Sequence, residues 1–402
     1  MKSLILLAVI AIAGGTATAT PRVPAEWEPQ SATWMQWPHG IESSYRPDFA
    51  RIIGAIQGYE HLNLLTRTEA ARGQAEAYLA ARGVPLNNVT FHVTPYNWAW
   101  MRDNGPVWVE QGGGLTAQDW AFDAWGGIIA PWNLDDAVPA WVAQTTGHAT
   151  DAIGTINERG ALEFNGAGAL ITTWPVFADR NPGMTRAEHE VLFAEKFGVT
   201  QIVWLETAPA DDEFTGGHVD GIARFIDVDT VAVARHVDQS DVDAPVYEEA
   251  VQIISAAGFE VVRIDIPGKV SYQGSQMSAN YVNWLVINGA VIVTGFNKPA
   301  WDNAAASTIQ GFFPGRDVLV VDCREIWYWG GGVHCVTNDQ PISQAQPCSA
   351  DLDANGLLNV DDVDAFTTFF LAGDLAVDFD GNGLLNVDDV DAFVAAFLGG
   401  CP

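Results

Sequence analysis

The chain has 402 residues, with 19 Lys and Arg against 50 Asp and Glu, so its formal net charge is −31. Hydrophobic residues make up 48% of the chain, which is typical of a protein that forms a core and not of a disordered one. This charge disfavours nucleic acids and anionic membrane surfaces as partners, and it suits a cationic substrate or a divalent metal.

Residues 1–19 have the pattern of a signal peptide. Lys2 supplies the charged start, Leu4–Ala13 the apolar stretch, and Ala17–Ala19 a small-residue cleavage site. The apolar stretch is too short to cross a bilayer, and no later run of about 18 apolar residues follows. We therefore expect an exported protein that has no transmembrane segment and that begins near Thr20 once processed.

Residues 20–347 are predicted to form one large domain from five strand–strand–helix–strand units. The first two units comprise the strand Thr33–Trp37, helix Phe49–Ile56, strand Leu62–Leu65, helix Ala75–Ala81, strand Thr90–Val93, strand Val107–Val109, a strand near Trp120–Phe122 and a short helix around Asp136–Gln144. The other three comprise the strands Ala161–Phe164 and Ala169–Thr172, helix Arg186–Phe197, strand Gln201–Leu205, strands Ile222–Ile226 and Val231–Ala234, a helix around Val246–Ala257, strand Glu260–Ile266, strands Trp284–Ile287 and Val291–Thr294, helix Asp302–Phe312 and strand Val318–Asp322.

The regular repeat of these units predicts the architecture. Asn165-Gly166 and Asn288-Gly289 stand between apolar runs and are strong hairpin signals. First strands begin near residues 33, 107, 161, 222 and 284. A repeat of this length in an α/β chain predicts a closed ring, a five-bladed α/β propeller of ββαβ units.

The segments that precede the first strands carry the polar residues. Because equivalent joints of a ring lie at one end near its axis, we expect five side chains to converge in one pocket. There Cys335 is a candidate nucleophile and His218 a candidate acid and base. The carboxylates would hold a planar cation such as a guanidinium by paired hydrogen bonds. The five converging residues are Asp103, Glu158, His218, Asp220 and Cys335.

Each of these residues also has a purely structural interpretation. Zinc is a competing use of His218, His334 and Cys335, although no CxxC or HxxxH spacing supports it. The structural alternatives are a turn for Asp103, a solvated side chain for Glu158, a hydrogen-bonded core pair for His218 and Asp220, and an inert buried thiol for Cys335. Convergence of all five favours a functional site.

The domain resembles the agmatine deiminase and bacterial-type peptidyl-arginine deiminase family of guanidino-group-modifying enzymes, whose fold is the five-bladed propeller named pentein. The resemblance implies that residues 20–347 form a catalytic domain that hydrolyses a guanidinium group without a metal or other cofactor. The segments that carry the resemblance are Trp100–Pro106, Phe122–Gly127, Arg180–Pro182, Gly217–Asp220, Ser278–Asn283 and Gly330–Thr337, spread over nearly all of residues 22–341.

The resemblance also implies roles for single residues. Cys335 attacks the guanidinium carbon, while His218 protonates the departing ammonia and then activates the water that resolves the thiouronium intermediate. Glu158 matches a carboxylate that assists. The positions that match substrate-binding ones are Asp103, Asp220, Trp100 and Asn280.

Two departures from the family pattern concern the pocket wall and leave the substrate open. Arg159 stands where a glycine is usual, and an Asn common before His334 is missing. Residues 122–136 contain no Arg that could grip a terminal carboxylate, which favours agmatine, converted to N-carbamoylputrescine and ammonia. The alternatives are a peptidyl-arginine deiminase that forms citrulline, favoured by export, and a non-catalytic guanidinium-binding module.

The segment 348–402 contains two copies of a calcium-loop pattern, each followed by an amphipathic helix. Oxygen side chains occupy loop positions 1, 3, 5, 9 and 12, with a glycine at position 6 and a backbone carbonyl at position 7. Asp replaces the usual Glu at position 12. The predicted calcium ligands are Asp351, Asp353, Asn355, Leu357, Asn359, Asp362, Asp378, Asp380, Asn382, Leu384, Asn386 and Asp389.

This small all-α segment resembles a dockerin type I module. The resemblance implies two Ca²⁺ sites on which folding depends, and a cohesin-like docking partner. Cys348 and Cys401 bracket the segment and form a plausible disulfide in an exported protein. The role of Cys323 cannot be read from the sequence.

Overall fold

A computed structural model describes residues 20–210, 212, 214–342, 350, 352, 360–379 and 384–399. The predicted signal peptide and the predicted disulfide partners Cys348 and Cys401 lie outside the described residues. Within the described ranges, every helix is too short or too polar to cross a membrane.

The strands of the described residues are numbered in chain order. They are β1 Gln30–Gln36, β2 Leu62–Thr66, β3 Val89–Val93, β4 Val107–Gln111, β5 Gly114–Ala121, β6 Ala149–Ile156, β7 Glu163–Phe164, β8 Ala169–Thr173, β9 Gln201–Leu205, β10 Ala223–Phe225, β11 Thr230–His236, β12 Glu260–Ile266, β13 Lys269–Tyr272, β14 Ser275–Ser278, β15 Leu285–Ile287, β16 Ala290–Gly295, β17 Asp317–Asp322 and β18 Asn338–Pro341.

The α-helices are numbered in the same way. They are α1 Arg46–Ile56, α2 Glu69–Ala80, α3 Met101–Asn104, α4 Ala124–Gly127, α5 Val138–Thr146, α6 Trp174–Arg180, α7 Arg186–Phe197, α8 Ala244–Ala256, α9 Pro299–Phe312, α10 Arg324–Tyr328, α11 Val360–Ala372 and α12 Val387–Gly399. Short 3₁₀ turns lie at Gly40–Tyr45, Arg159–Ala161, Val219–Gly221, His334–Val336 and Leu375–Val377.

Four sheets share one pattern, in which an antiparallel hairpin is followed by a parallel pairing. Their strand orders are β4-β5-β6, β7-β8-β9, β10-β11-β12 and β15-β16-β17. In β11 and β12 the parallel register runs from Thr230 opposite Glu260 to His236 opposite Ile266. Parallel neighbours need a crossover, and α5, α7, α8 and α9 supply it in the four units. The prediction of repeated ββαβ units on a mixed α/β fold agrees with these sheets.

The fifth sheet joins the two ends of the domain. Its order is β18-β1-β2-β3, and β18 pairs antiparallel with β1, with Trp34 opposite Asn338. The predicted strand Thr33–Trp37 is therefore the second strand of its unit, not the first. The prediction was wrong on this point because the pairing partner lies about 300 residues away, where local patterns give no signal.

Other elements also differ from the prediction. The strand placed at Trp120–Phe122 is the end of β5, which begins at Gly114 after a two-glycine turn. Strand β6 was not predicted, since half of its residues are exposed and its apolar alternation is weak. Helix α6 and the hairpin of β13 and β14 were also missed, because both are short.

Local sequence explains most of the long elements. Helix α7 begins with a capping box, in which Thr185 and Glu188 each accept from the other's backbone N–H. It ends at Gly198, whose φ of 67° suits glycine. Hydrophobic side chains of the strands fill the cores between sheets and helices, and Trp34, Trp284 and Phe225 are fully buried there.

The candidate site lies where several short turns contact one another. Helix α3 contacts the turns Arg159–Ala161 and His334–Val336, and Arg159–Ala161 contacts Val219–Gly221. Each turn directly precedes or follows a strand of a different sheet. Side chains that are far apart in sequence are thereby brought together at one end of the sheets.

Candidate active site

The candidate nucleophile Cys335 lies in the turn His334–Val336 and is 8% exposed. Asn283 Nδ2 donates to its Sγ at 3.3 Å, and Sγ lies 3.8 Å from Asp220 Oδ2. Burial, together with the charges of Asp220 and Asp103, raises the pKa of the Cys335 thiol well above its usual range. The thiol is therefore neutral at physiological pH unless a cation lies beside it.

His218 lies between two carboxylates. Its Nε2 is 3.0 Å from Glu158 Oε2, and its Nδ1 is 3.5 Å from Asp103 Oδ1. Burial by itself lowers the pKa of His218, but Asp103 and then Glu158 outweigh it and raise that pKa to about 9. The ring is thus a charged proton donor at neutral pH.

The two carboxylates beside His218 have opposite tendencies. Burial favours the neutral form of Glu158, but His218 and Arg180, whose Nε donates to Oε1 at 2.7 Å, lower its pKa overall. Burial, with Asp220 and Glu158 nearby, raises the pKa of Asp103 to about 6. Trp125 Nε1 donates to Asp103 Oδ2 at 2.9 Å and fixes the orientation of its carboxyl group.

Asp220 is the third carboxylate of the site. Its Oδ2 accepts from His334 Nδ1 at 2.7 Å. Burial by itself raises the pKa of Asp220. The hydrogen bond and charge of His334 outweigh burial, so the pKa of Asp220 is lowered overall. Asp220 is therefore ionised at neutral pH and lies beside the thiol.

Two glycines allow this close approach. A Cβ on Gly160 would lie 2.6 Å from both Asp103 Oδ1 and His218 Nδ1. A Cβ on Gly331 would lie 2.5 Å from Trp100 Cζ3 and 2.8 Å from Cys335 Cβ. Any side chain at either position would displace a candidate catalytic group.

A cavity of about 400 Å³ opens onto the thiol. Cys335, His218, Asp220 and Asn280 line it, whereas Asp103, Glu158 and Trp100 are buried behind this first layer. The mouth carries aromatic rings and one lysine, with Phe214, Trp327, Tyr328, Trp329 and Lys269 among its residues.

Two of the predicted substrate-binding residues, Asn280 and Trp100, contact mainly other parts of the protein. The Asn280 amide bonds only to backbone in the described structure: Nδ2 donates to Gly221 O at 2.6 Å, and Oδ1 accepts from Val282 N at 2.9 Å. It therefore fixes the turn that follows Asp220. The Trp100 ring packs edge to face against Trp125, with centroids 6.4 Å apart, and forms part of the wall behind the thiol.

Several residues of the site were not assigned a role from the sequence. Asn283, Arg180 and Trp125 lie in segments that carry the family resemblance, so the resemblance could have identified them as candidate site residues. Nothing local singled out Glu26, which lies about 300 residues before His334 and bonds to it at 2.7 Å. The residues that the sequence left without a role are Asn283, Arg180, Trp125, His334 and Glu26.

The structure gives no support to zinc at His218, His334 and Cys335. Both ring nitrogens of His334 face carboxylates, Nδ1 on Asp220 and Nε2 on Glu26. Within the residues that the structure describes, no group of three or more His, Cys, Asp or Glu side chains is arranged to hold a metal ion.

Part of the predicted calcium segment is described. Helices α11 and α12 pack through Phe366 and Phe393, whose rings stack at 4.2 Å. Asp362 Oδ1 accepts from Leu352 N at 2.9 Å. Of the predicted ligands, Asp362, Asp378, Leu384, Asn386 and Asp389 are described, while Asp351, Asp353, Asn355, Leu357, Asn359, Asp380 and Asn382 lie outside the described residues.

Comparison with known families agrees with this site. A model of the Porphyromonas-type peptidyl-arginine deiminase family matches residues 22–341. The chain belongs to this family. The match includes all the candidate catalytic residues and leaves the C-terminal segment outside it.

Proteins named as agmatine deiminases are similar to most of the chain. An agmatine deiminase of Stutzerimonas stutzeri is 33% identical over 379 residues, which covers 81% of this chain and 98% of the relative. A solved agmatine deiminase of Enterococcus faecalis is 26% identical with a TM-score of 0.72, covering 80% of this chain and 96% of the other. A substrate-bound agmatine deiminase of C. jejuni, 23% identical, has a TM-score of 0.74, covers 80% and 97%, and supports the fold alone.

Proposed function

We propose that the protein is a cysteine-dependent hydrolase that deiminates agmatine to N-carbamoylputrescine and ammonia. Membership of the family supports hydrolysis of a guanidino C–N bond. The agmatine deiminases among its relatives support the substrate. The observation that carries the proposal is the buried thiol of Cys335 in one pocket with Asp220 and His218.

The carboxylates account for substrate binding. A guanidinium is planar and donates pairs of parallel hydrogen bonds, which a carboxylate accepts in a matching geometry. Asp220 is ionised and lines the cavity, and Asp103 lies behind it next to His218. Asp220 would hold the guanidinium plane beside Sγ, so that the guanidinium carbon is exposed to the thiolate, while Asp103 acts through the charge of His218.

The substrate would also activate the nucleophile. Two unit charges about 4 Å apart interact by about 4 kcal/mol at an effective dielectric constant of about 20, equivalent to about three pKa units. A bound guanidinium therefore offsets much of the penalty that burial and Asp220 impose on the thiolate of Cys335. Asp220, 3.8 Å from Sγ, must stay ionised to hold the cation, so the thiol proton would leave to solvent through the cavity that Cys335 lines.

His218 would move the protons of the two chemical steps. The thiolate forms a bond to the guanidinium carbon, and protonated His218 donates to the leaving nitrogen, which departs as ammonia. The neutral ring then takes a proton from water as the water oxygen attacks the thiouronium carbon. The C–S bond then breaks as the remaining hydroxyl proton passes to sulfur, so that the urea product forms and the thiol is restored.

A thiol substitution tests this proposal. Cys335→Ala should abolish ammonia release from agmatine and leave thermal unfolding unchanged within a few degrees. Cys323→Ala is the matched control, because Cys323 is also buried but does not line the cavity. Turnover by Cys335→Ala, or equal loss in both variants, would reject the nucleophile assignment.

A second candidate substrate is arginine, free or in a peptide, which would give citrulline. Lys269 at the cavity mouth favours it, since an ammonium attracts a carboxylate and repels the amine of agmatine. Lys269→Met should lower kcat/KM for arginine but not for agmatine. The control is Lys298→Met, an exposed lysine outside the cavity. A fall for agmatine alone would remove arginine from consideration.

We infer that the five ββαβ units close into a five-bladed α/β propeller with residues 20–347 as its catalytic domain. The shared strand order of the sheets and the pairing of β18 with β1 support closure.

The alternative of a non-catalytic guanidinium-binding module predicts that agmatine binds and no ammonia is released.

For the C-terminal segment 348–402 we propose a dockerin-like module with two Ca²⁺ ions and a cohesin-like partner. Buried Asp362 and Asp389 at loop position 12 fit this role, because hard oxygen ligands suit calcium. Calorimetric titration should find two calcium ions in the full chain, and fewer in a double variant with Ala at 362 and 389. Asp374→Ala, between the loops, should still bind both. Full binding by the double variant would reject the sites.

We also propose that the protein is exported and processed near Thr20. The composition of residues 1–19 supports export. Mass spectrometry of protein recovered from outside the cytoplasm should give an N-terminus near residue 20. Recovery of the full-length chain inside the cell alone would contradict export.

A further inference from the structure

A buried carboxylate from the N-terminal segment reaches the centre of the domain. Glu26 is 6% exposed, and its two oxygens have different partners. Oε1 accepts from Val286 N at 2.7 Å, which anchors the side chain. Oε2 lies 2.7 Å from His334 Nε2, 2.9 Å from Arg224 Nη2 and 3.7 Å from Arg102 Nη2. Of these partners, His334 directly precedes Cys335 in the chain.

His334 connects this carboxylate to the candidate site. Its Nδ1 lies 2.7 Å from Asp220 Oδ2, and the next residue along the chain is Cys335. The ring is fully buried and fixed at both nitrogens. A continuous path Glu26–His334–Asp220 therefore runs from the N-terminal segment to the carboxylate beside the thiol.

We propose that Glu26 is a positioning residue for the guanidinium-binding carboxylate: it holds the His334 ring so that Nδ1 donates to Asp220, and thereby keeps Asp220 charged and aimed at the substrate. The proposal rests on the function proposed above. Glu26 touches no substrate and acts through His334.

Electrostatics give the reason for such an arrangement. Asp103, Glu158 and Asp220 share one buried site, and their like charges favour protonation of one of them. An unpaired Asp220 would take that proton and lose its hold on a cation. His334 prevents this through its hydrogen bond to Asp220 Oδ2, and Glu26 keeps the ring from rotating.

Other charges near the path must be considered in any pH experiment. Those that face Asp220 are Asp103, His218, Arg224, His334 and the thiol of Cys335. Those that face Glu26, besides His334, are Arg102, Arg159, Arg224, Arg316, Glu60 and Glu163.

The test is Glu26→Gln, because the amide keeps the oxygen that accepts from Val286 and loses the charge. The acid limb of kcat/KM for agmatine should move to higher pH by about one unit or more, since Asp220 then protonates more easily. At pH 6 the loss should reach about tenfold, mainly through KM.

Glu163→Gln is the matched control. Glu163 is 4% exposed and its Oε2 lies 2.9 Å from Arg224 Nε, but it does not touch His334. Both variants therefore disturb the same arginine and should lose similar stability, while only Glu26→Gln should move the acid limb. An unchanged acid limb in folded Glu26→Gln, or an equal shift in Glu163→Gln, would overturn the proposal.

A second variant and a binding assay keep the result interpretable. His334→Asn retains a donor toward Asp220 but breaks the link to Glu26, so it should shift the acid limb in the same direction even if Glu26→Gln does not fold. Calorimetric binding of agmatine to Cys335→Ala, with and without Glu26→Gln, measures the same pH shift without turnover. Binding without turnover by wild type would reject the deiminase function alone, and absence of binding would reject both.

Discussion

The candidate site has a steric requirement at Gly160, and Gly160→Ala tests it. The added Cβ would lie 2.6 Å from Asp103 Oδ1 and His218 Nδ1, about 0.8 Å short of the 3.4 Å at which ordinary contact begins. The φ of Gly160 lies outside the left-handed region, so its backbone accepts alanine. The effect is therefore one of contact and not of backbone strain.

The size of the effect follows from which groups must move. Both neighbours are buried and held by other partners, Asp103 by Trp125 and His218 by Glu158. Overpacking of a core costs about 1–3 kcal/mol. A displacement on the order of 1 Å at a reacting group costs about a hundredfold in rate. We expect kcat for agmatine to fall by about that factor while the protein stays folded.

Steady-state ammonia release at several agmatine concentrations measures this, with thermal unfolding as the check on folding. Gly154→Ala, on strand β6, is the control, because no heavy atom lies within 4 Å of its added Cβ. It should keep both rate and stability. Wild-type kcat in folded Gly160→Ala would refute the packing of Asp103 against His218 as the basis of the site.

Two further predictions concern stability. Burial raises the pKa of Glu42 to about 8, so folding favours its neutral form, and stability should fall as pH rises from about 4.5 through 8. The unfolding temperature of Glu42→Gln should depend less on pH, and the pH-dependent free energy of unfolding that this variant removes has an upper limit of about 5 kcal/mol. Thr185→Ala removes the capping box of α7 and should cost about 1 kcal/mol without changing kcat.

Both stability predictions can be contradicted by experiment. For Glu42, parallel pH profiles of wild type and variant in thermal unfolding would show that the carboxyl group titrates normally in the folded protein. For Thr185, a loss of turnover that exceeds the loss of stability would connect α7 to the site, which lies in a different part of the unit.

The sequence determined the repeated units and the residue types of the site. Apolar alternation and turn residues are local signals, so strands such as Glu260–Ile266 and helices such as Arg186–Phe197 were predicted with their observed bounds. The family resemblance supplied the guanidino chemistry, and the family match supports it. Short or exposed elements such as β6 were missed because they carry little pattern.

Tertiary structure alone decided how the ends of the chain combine. The pairing of β18 with β1 and the contact of Glu26 with His334 join residues about 300 positions apart, and no local pattern encodes such contacts. The same holds for charge: the residue type gives His218 an ordinary pKa, whereas the neighbouring carboxylates of Asp103 and Glu158 outweigh the effect of burial and raise that pKa to about 9. Distances and burial set such values, and both exist only in the folded chain.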